Sequence, residues 1–352
     1  MSSRVSRGRK LLFSGVVLLA FLALFEGGAR IWERARPAPT MPEPVPRSCP
    51  DGQPCFEGAA TLPPVDGHGI RMAEQRRAGW GFVPGSQITH GNVTVTINSL
   101  GLRGPQIGPD PEPGEVRLFS LGDSSVYGYG VEDGQVFLDV TAAILSDETG
   151  MDVLSVNGAL PGYSSRQALT VLQDVGPVVR PDWLVIACIW SDLFHTDEPL
   201  DAGGESPLAA VRMMKTLLQP WLPPRTIGWW DPEQGVGTPG PGKSPRVALG
   251  QYMDNLHALV LEGAKVDARP VFLILPAPVD LDPAGAPAYV GDYRAAMATV
   301  AEEIDAPLVD GPRYFARHGA GPTMFFDQVH PSAEGHRLLG EALAEALEDR
   351  LD

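Results

Sequence analysis

From Val116 to Leu347 short apolar runs alternate with stretches of helical periodicity, and that alternation leaves few architectures open. The runs are Val116 to Leu121, Val153 to Val156, Trp183 to Trp190, Pro270 to Leu275 and Pro307 to Val309. The helical stretches are Gln135 to Leu145, Arg166 to Leu172, Leu256 to Val266, Tyr293 to Ile304 and Ser332 to Leu347. Each run is apolar with little alternation, the pattern of a strand buried on both faces. Strands of that kind separated by helices build a parallel sheet covered on both sides. The expected fold class is α/β, a doubly wound parallel sheet with helices on both faces, over residues 115–352. Residues 76–114 precede it as a small β extension, because Val93, Val95 and Ile97 alternate with Asn92, Thr94, Thr96 and Asn98. Residues 197–246 interrupt the pattern with many Pro and Gly, with Trp221, Trp229 and Trp230, and with the helical-looking Leu208 to Leu218. That is too long for an ordinary αβ connection. It is either a lid or substrate-binding insertion, or a structural excursion packed on the domain.

Upstream, a basic tail over residues 1–10 (Arg4, Arg7, Arg9, Lys10) precedes the charge-free run Leu11 to Phe25, and Glu26, Arg30, Glu33, Arg34 and Arg36 follow. This is an export signal with its positive end in the cytoplasm. A spanning helix needs about 20 residues and a signal core about 7 to 15, so the run sits between the two. Residues 11–33 are read as an uncleaved anchor in the inner membrane, with the remainder on the periplasmic or extracytoplasmic side. The alternative is secretion after cleavage near Gly27-Gly28-Ala29. Residues 34–75 are rich in Pro and read as an extended stalk. Within it Cys49 and Cys55 offer too few ligands for zinc, and export favours a disulfide between them. Cys188 reads as a buried, inert thiol. The net charge is −16, and no basic run exists beyond the first ten positions, which argues against a nucleic-acid partner. His195, Asp192 and Asp197 share one loop without a fourth ligand, so neither a metal nor a cofactor is expected.

In open parallel sheets ligands collect at the carboxyl ends of the strands. Four segments fall at or near such places: Leu121-Gly122-Asp123-Ser124-Ser125, Asn157-Gly158-Ala159-Leu160-Pro161-Gly162, Trp190-Ser191-Asp192, and Asp327-Gln328-Val329-His330-Pro331 before the last helix. A serine hydroxyl is a poor nucleophile until an imidazole takes its proton, and the imidazole needs a carboxylate to fix its tautomer. Asp327 and His330 can be presented by one rigid turn, with Pro331 suited to the first turn of the helix that follows. Singly, each segment reads as a turn or a helix cap. Their co-occurrence points to a catalytic site.

Together these segments resemble the SGNH/GDSL hydrolase family, in the form of its membrane-anchored bacterial members. The family's blocks are Gly-Asp-Ser, an Asn-rich turn ending in Gly, Gly-x-Asn-Asp, and Asp-x-x-His-Pro. The resemblance runs in order over residues 115–350, and Asn98-Ser99-Leu100-Gly101-Leu102-Arg103-Gly104 looks like the lead-in of anchored members. It implies a flavodoxin-like sheet, Ser124 as nucleophile, His330 as general base and later acid, and Asp327 as the orienting carboxylate. It also implies the backbone N–H groups of Ser124 and Gly162 as oxyanion donors, and Asn157 as a tie between the second block and the first. Ser125 is a rival nucleophile that the family register sets aside. The third block departs from the pattern: Ile189-Trp190-Ser191-Asp192 stands where Gly-x-Asn-Asp is expected, so the shorter Ser191 hydroxyl replaces the amide of the third donor. Loss of one such donor typically costs on the order of 100- to 1000-fold in rate.

The implied function is a serine-dependent esterase that removes an O-acetyl or short acyl group from an envelope glycan or lipid through an acyl-enzyme. An O-acyltransferase to a sugar hydroxyl and a catalytically degenerate binding module are the alternatives. Asn157, Trp190 and Asp192 are carried as substrate-binding candidates, with Trp190 either walling the pocket or packing at a strand end. The partners implied are an ester-bearing small molecule, glycan or lipid, and a membrane through the N-terminal segment.

Overall fold

A computed structural model of the chain describes residues 21–32, 46–48, 54–56, 81–90, 93–108, 110–196, 210, 213–214, 244–282 and 285–351. The chain divides into two compact units, Met1–Pro42 with Gly203–Gly228, and Glu43–Ala202 with Trp229–Asp352. In the first unit residues 21–32 form helix α1. There Glu26 accepts a hydrogen bond from Arg30 and another from the Ala210 N–H, each at 2.9 Å. Among the described residues no helix is long and apolar enough to cross a membrane. Residues 1–20, Cys49 and most of 197–246 lie outside the described residues, and with them much of the expected anchor, the expected disulfide and the insertion.

The second unit contains a short antiparallel pair, β1 (Pro46–Ser48) and β2 (Pro54–Phe56), inside the stretch read as a stalk. A hairpin follows, β3 (Gln87–His90) with β4 (Val93–Thr96), Ile88 opposite Val95. Val95 and Ile97 are buried while Thr94 and Thr96 are only half-buried, as strand alternation requires. The main sheet begins with β5 (Glu115–Leu121), β6 (Asp152–Asn157) and β7 (Trp183–Ile186). Next, β8 (His195–Thr196) pairs antiparallel with β9 (Ser244–Pro245) and pins the two ends of the insertion together. The sheet is completed by β10 (Arg269–Ile274) and β11 (Leu308–Asp310). Its order is β11-β10-β7-β5-β6, parallel throughout. The chain therefore steps from β5 outward to β6 and returns across β5 to β7. That reversal opens a crevice beyond the carboxyl ends of β5 and β7.

The helices are α2 (Ser124–Tyr127), α3 (Phe137–Thr149), α4 (Ser165–Val179), α5 (Trp190–Leu193), α6 (Leu249–Ala264), α7 (Ala288–Glu303), α8 (Gly311–Arg317) and α9 (Ala333–Leu347). One set packs α3 against α9; the other packs α6 between α4 and α7; both contact the strands. Residues 187–189 leave the β7 ladder before α5, so the apolar run Trp183 to Trp190 is a short strand plus a buried turn. Helix α4 continues beyond Leu172 because Val175 and Val179 prolong its buried stripe. Pro331 stands outside α9, whose N-cap is Ser332; it bridges Phe325 instead.

His336 on α9 is fully buried, its ring stacked on Phe137 and its Nδ1 accepting the Phe137 N–H at 3.3 Å. Burial, aided by the charges of Arg103 and His330, pushes its pKa down from 6.5 to about 3. A neutral buried histidine contributes its full stability above the unfolded value, and that stability is lost as pH falls towards the folded value. His336→Asn keeps an acceptor near Nδ1 and removes the titration. Urea melts between pH 7 and pH 4.5 are expected to show about 2 to 3 kcal/mol of acid-dependent loss in wild type that the variant lacks. Equal slopes in the two proteins would refute this.

Candidate active site

The first block is built by a turn too tight for any side chain at its start. A Cβ on Gly122 would lie 2.4 Å from Val126 Cγ2, so glycine lets β5 turn directly into α2. Asp123 caps α2, its Oδ1 accepting the Ser125 N–H at 3.0 Å, and Gly128 closes it in the left-handed conformation at φ 86°. The two neighbouring serines then part company. Ser125 is buried and donates its hydroxyl to the Val329 carbonyl at 2.9 Å, whereas Ser124 is half-buried at the head of the helix.

The fourth block supplies a rigid carboxylate and imidazole. Asp327 Oδ1 accepts the N–H groups of Val329 and His330 at 3.0 and 2.9 Å, and Oδ2 lies 2.7 Å from His330 Nδ1. A carboxylate only accepts, so His330 carries its proton on Nδ1. Nε2 is left with a lone pair, which accepts the Ser124 hydroxyl at 2.7 Å. Burial works to raise the Asp327 pKa. The His330 hydrogen bond and charge, with the two backbone donors, outweigh it and hold the carboxyl below its ordinary value. Tyr129 packs its ring 4.8 Å from the His330 ring, and the exposed ring of Phe326 lies against Gly130 on the same rim.

Among the described residues the backbone N–H groups of Ser124 and Gly162 have no hydrogen-bond partner. Gly162 adopts φ 78°, and Arg246 anchors its carbonyl at 2.6 Å. Ser191 donates its N–H to Asp123 Oδ2 at 3.0 Å, while its own hydroxyl is buried with no partner among the described residues. Asp123 thus joins the first block to the third. Burial raises its pKa, and the Ser191 and Ser125 N–H groups and the His330 charge pull it part of the way back. By sequence alone Asp123 has no assigned role. Its one signal was its place directly before the helix that Ser124 heads.

Burial takes the three substrate candidates away from the substrate, and Asn157 keeps its other expected role as a tie between two blocks. Asn157 spends its amide on the Val126 and Tyr127 carbonyls at 2.9 and 3.3 Å, and its oxygen on the Ala159 N–H, so it joins the second block to the first from inside. Asp192 is 0 % exposed and accepts both the N–H and the hydroxyl of Ser165. Burial raises its pKa to about 7 against those hydrogen bonds. Trp190 is 2 % exposed at the start of α5, its ring 5.6 Å from the Arg294 guanidinium.

An imidazole held between a carboxylate and a hydroxyl, at the switch point of a parallel sheet, is the machinery of a serine hydrolase. The chain belongs to the GDSL-like lipase/acylhydrolase family, whose sequence model matches residues 120–338, and it is an esterase of the SGNH type. Among solved structures it is similar to TesA (18% identity, 66% of this chain and 98% of that one, TM-score 0.43). It is likewise similar to a lipase/acylhydrolase from Enterococcus faecalis (16%, 67% and 97%, TM-score 0.46). A third is the acetyl xylan esterase AlAXEase (12%, 66% and 100%, TM-score 0.45). Likeness at this level says nothing of the substrate. No curated protein matches the chain.

Proposed function

We propose that the chain hydrolyses a carboxylic ester, an O-acetyl or short acyl group on an envelope glycan or lipid, through an acyl-enzyme on Ser124. The observation that carries this reading is the 2.7 Å contact of Ser124 Oγ with an imidazole whose other nitrogen is fixed by Asp327. Ser124 Oγ attacks the carbonyl carbon as His330 Nε2 takes its proton, and Asp327 stabilises the imidazolium. The N–H groups of Ser124 and Gly162 receive the developing oxyanion. The orphaned Ser191 hydroxyl is a third donor, since a buried hydroxyl without a partner is otherwise a net cost. Collapse breaks the bond to the alcohol, which leaves with the proton from His330. Water, activated by the same imidazole, then releases the acid. Residues 11–33 anchor the enzyme at the inner membrane in this reading, with the site on the extracytoplasmic side.

A fluorophosphonate probe tests the assignment directly. Mass spectrometry is expected to place the adduct on Ser124. Ser125→Ala should label at a rate within about threefold of wild type. It should lose about 1 kcal/mol of stability with the bond to Val329. An adduct on Ser125, or no adduct on folded protein, rejects the assignment.

A further inference from the structure

We infer that Arg103, in the segment before the sheet, is a positioning residue that sets the reach of Ser124 to His330; the inference rests on Ser124 being the nucleophile. The nucleophile heads a helix of four residues, far too short to be stable alone. Carbonyls at the end of such a helix find no partner within it and must be met from outside. Ser124 O takes the N–H groups of Gly128 and Tyr129, and Asn157 reaches Val126 and Tyr127. One guanidinium adds to these bonds at the carbonyl end. Arg103 Nη1 donates to the Tyr127 and Gly128 carbonyls at 2.9 and 2.7 Å, and Nη2 donates to Val131 O at 2.7 Å. Its Nε donates to Asp133 Oδ1 at 3.1 Å, and Asp133 Oδ2 in turn accepts the Thr96 N–H at 2.8 Å.

Arg103 is 2 % exposed, and its Cζ lies 5.0 Å from the Tyr127 ring centroid. Its own carbonyl accepts the Asn157 N–H at 3.3 Å, so a single residue grips the first block with its side chain and the second with its backbone. A planar fork suits three carbonyls at once, whereas a lysine ammonium is a single point on a flexible stem. The cation also lies at the carbonyl end of α2, where the helix dipole favours it. The β extension thus belongs to the frame of the catalytic site.

A second buried arginine supplies the control. Arg117 lies on β5 towards its amino end, pairs with Glu115, and donates to Val179 O at 2.8 Å and Gly108 O at 3.0 Å, remote from Ser124. Full-length Arg103→Lys, Arg117→Lys, Asp133→Asn and Ser124→Ala would be compared. The readouts are thermal melting, kcat and KM on p-nitrophenyl acetate, fluorophosphonate labelling rate, and the 15N signal of His330 Nε2.

Arg103→Lys is expected to lose on the order of 100-fold in kcat with KM little changed, its labelling rate falling in parallel and the Nε2 signal shifting. Arg117→Lys should lower the melting temperature and leave kcat and the Nε2 signal intact. Asp133→Asn loosens the fork without removing it; it should lose about three- to tenfold in kcat, and it decides the matter if Arg103→Lys does not fold. Wild-type kcat and Nε2 signal in folded Arg103→Lys, equal losses in Arg117→Lys, or unchanged kcat in Asp133→Asn would each overturn the inference. Unlabelled wild type, or labelling that survives Ser124→Ala, condemns the nucleophile assignment instead. The His330 signal still reports whether Arg103 sets the spacing.

Discussion

Replacing Ser124 with alanine is expected to lower kcat on p-nitrophenyl acetate by on the order of 10⁴- to 10⁶-fold, with the fold and its melting temperature preserved. The hydroxyl removed is half-buried and bonded to His330 Nε2, so the variant loses the attacking atom and little packing. What remains is whatever the oxyanion donors achieve with water as nucleophile. Steady-state kinetics at matched protein concentration provide the check. Retention of more than about 1% of wild-type turnover would mean that another group attacks, and the assignment would fall.

Asp327→Asn is the second large effect, a fall of about 10⁴-fold in kcat with modest change in KM. The carboxylate accepts from His330 Nδ1 and from two backbone N–H groups, and only the form with a proton on Nδ1 leaves Nε2 free to take the serine proton. An amide can donate as well as accept. It permits the opposite tautomer and cannot stabilise an imidazolium. The same change has a signature in stability. Because the Asp327 carboxyl is held below its ordinary value, its contribution is present above the unfolded pKa and is lost as pH falls through the folded one. The melting-temperature gap between wild type and Asp327→Asn should therefore narrow as the pH is lowered from 6 to 3. A gap that widens in acid would contradict the environment described for this carboxylate.

The sheet and the Ser124, Asp327 and His330 constellation were legible because apolar runs mark strands and because the reacting residue types fall at strand ends in a recognisable order. Other features leave weaker marks. The run Trp183 to Trp190 reads as one strand because the turn at residues 187–189 is as buried as the strand and carries no Gly or Pro. By sequence Asn157, Trp190 and Asp192 are substrate candidates because a strand end faces the crevice in general, although Asn157 reads equally as a tie between blocks and Trp190 as a packing residue. Their burial is decided by Ser165, the Val126 and Tyr127 carbonyls and Arg294, partners distant in sequence. Arg103 and Asp123 carry no role by sequence alone because most of their partners are main-chain groups. Any residue type can offer a carbonyl or an N–H, so such contacts write nothing into the sequence of the partner.

The bond between Ser124 and His330 closes over 206 residues, and the neighbouring bond from Ser125 to Val329 over 204. Ser124 and His330 therefore meet only when the segment leading into α9 has docked against the start of α2. Contacts of such wide sequence separation bear the loop-closure cost before they are rewarded, and so form slowly. Turnover is accordingly a gauge of that docking, and in a graded urea series it should vanish before the far-ultraviolet ellipticity of the sheet and helices declines. An inactivated population that keeps its ellipticity at intermediate denaturant would have the segment before α9 undocked from the start of α2, with Ser124 and His330 out of reach of each other.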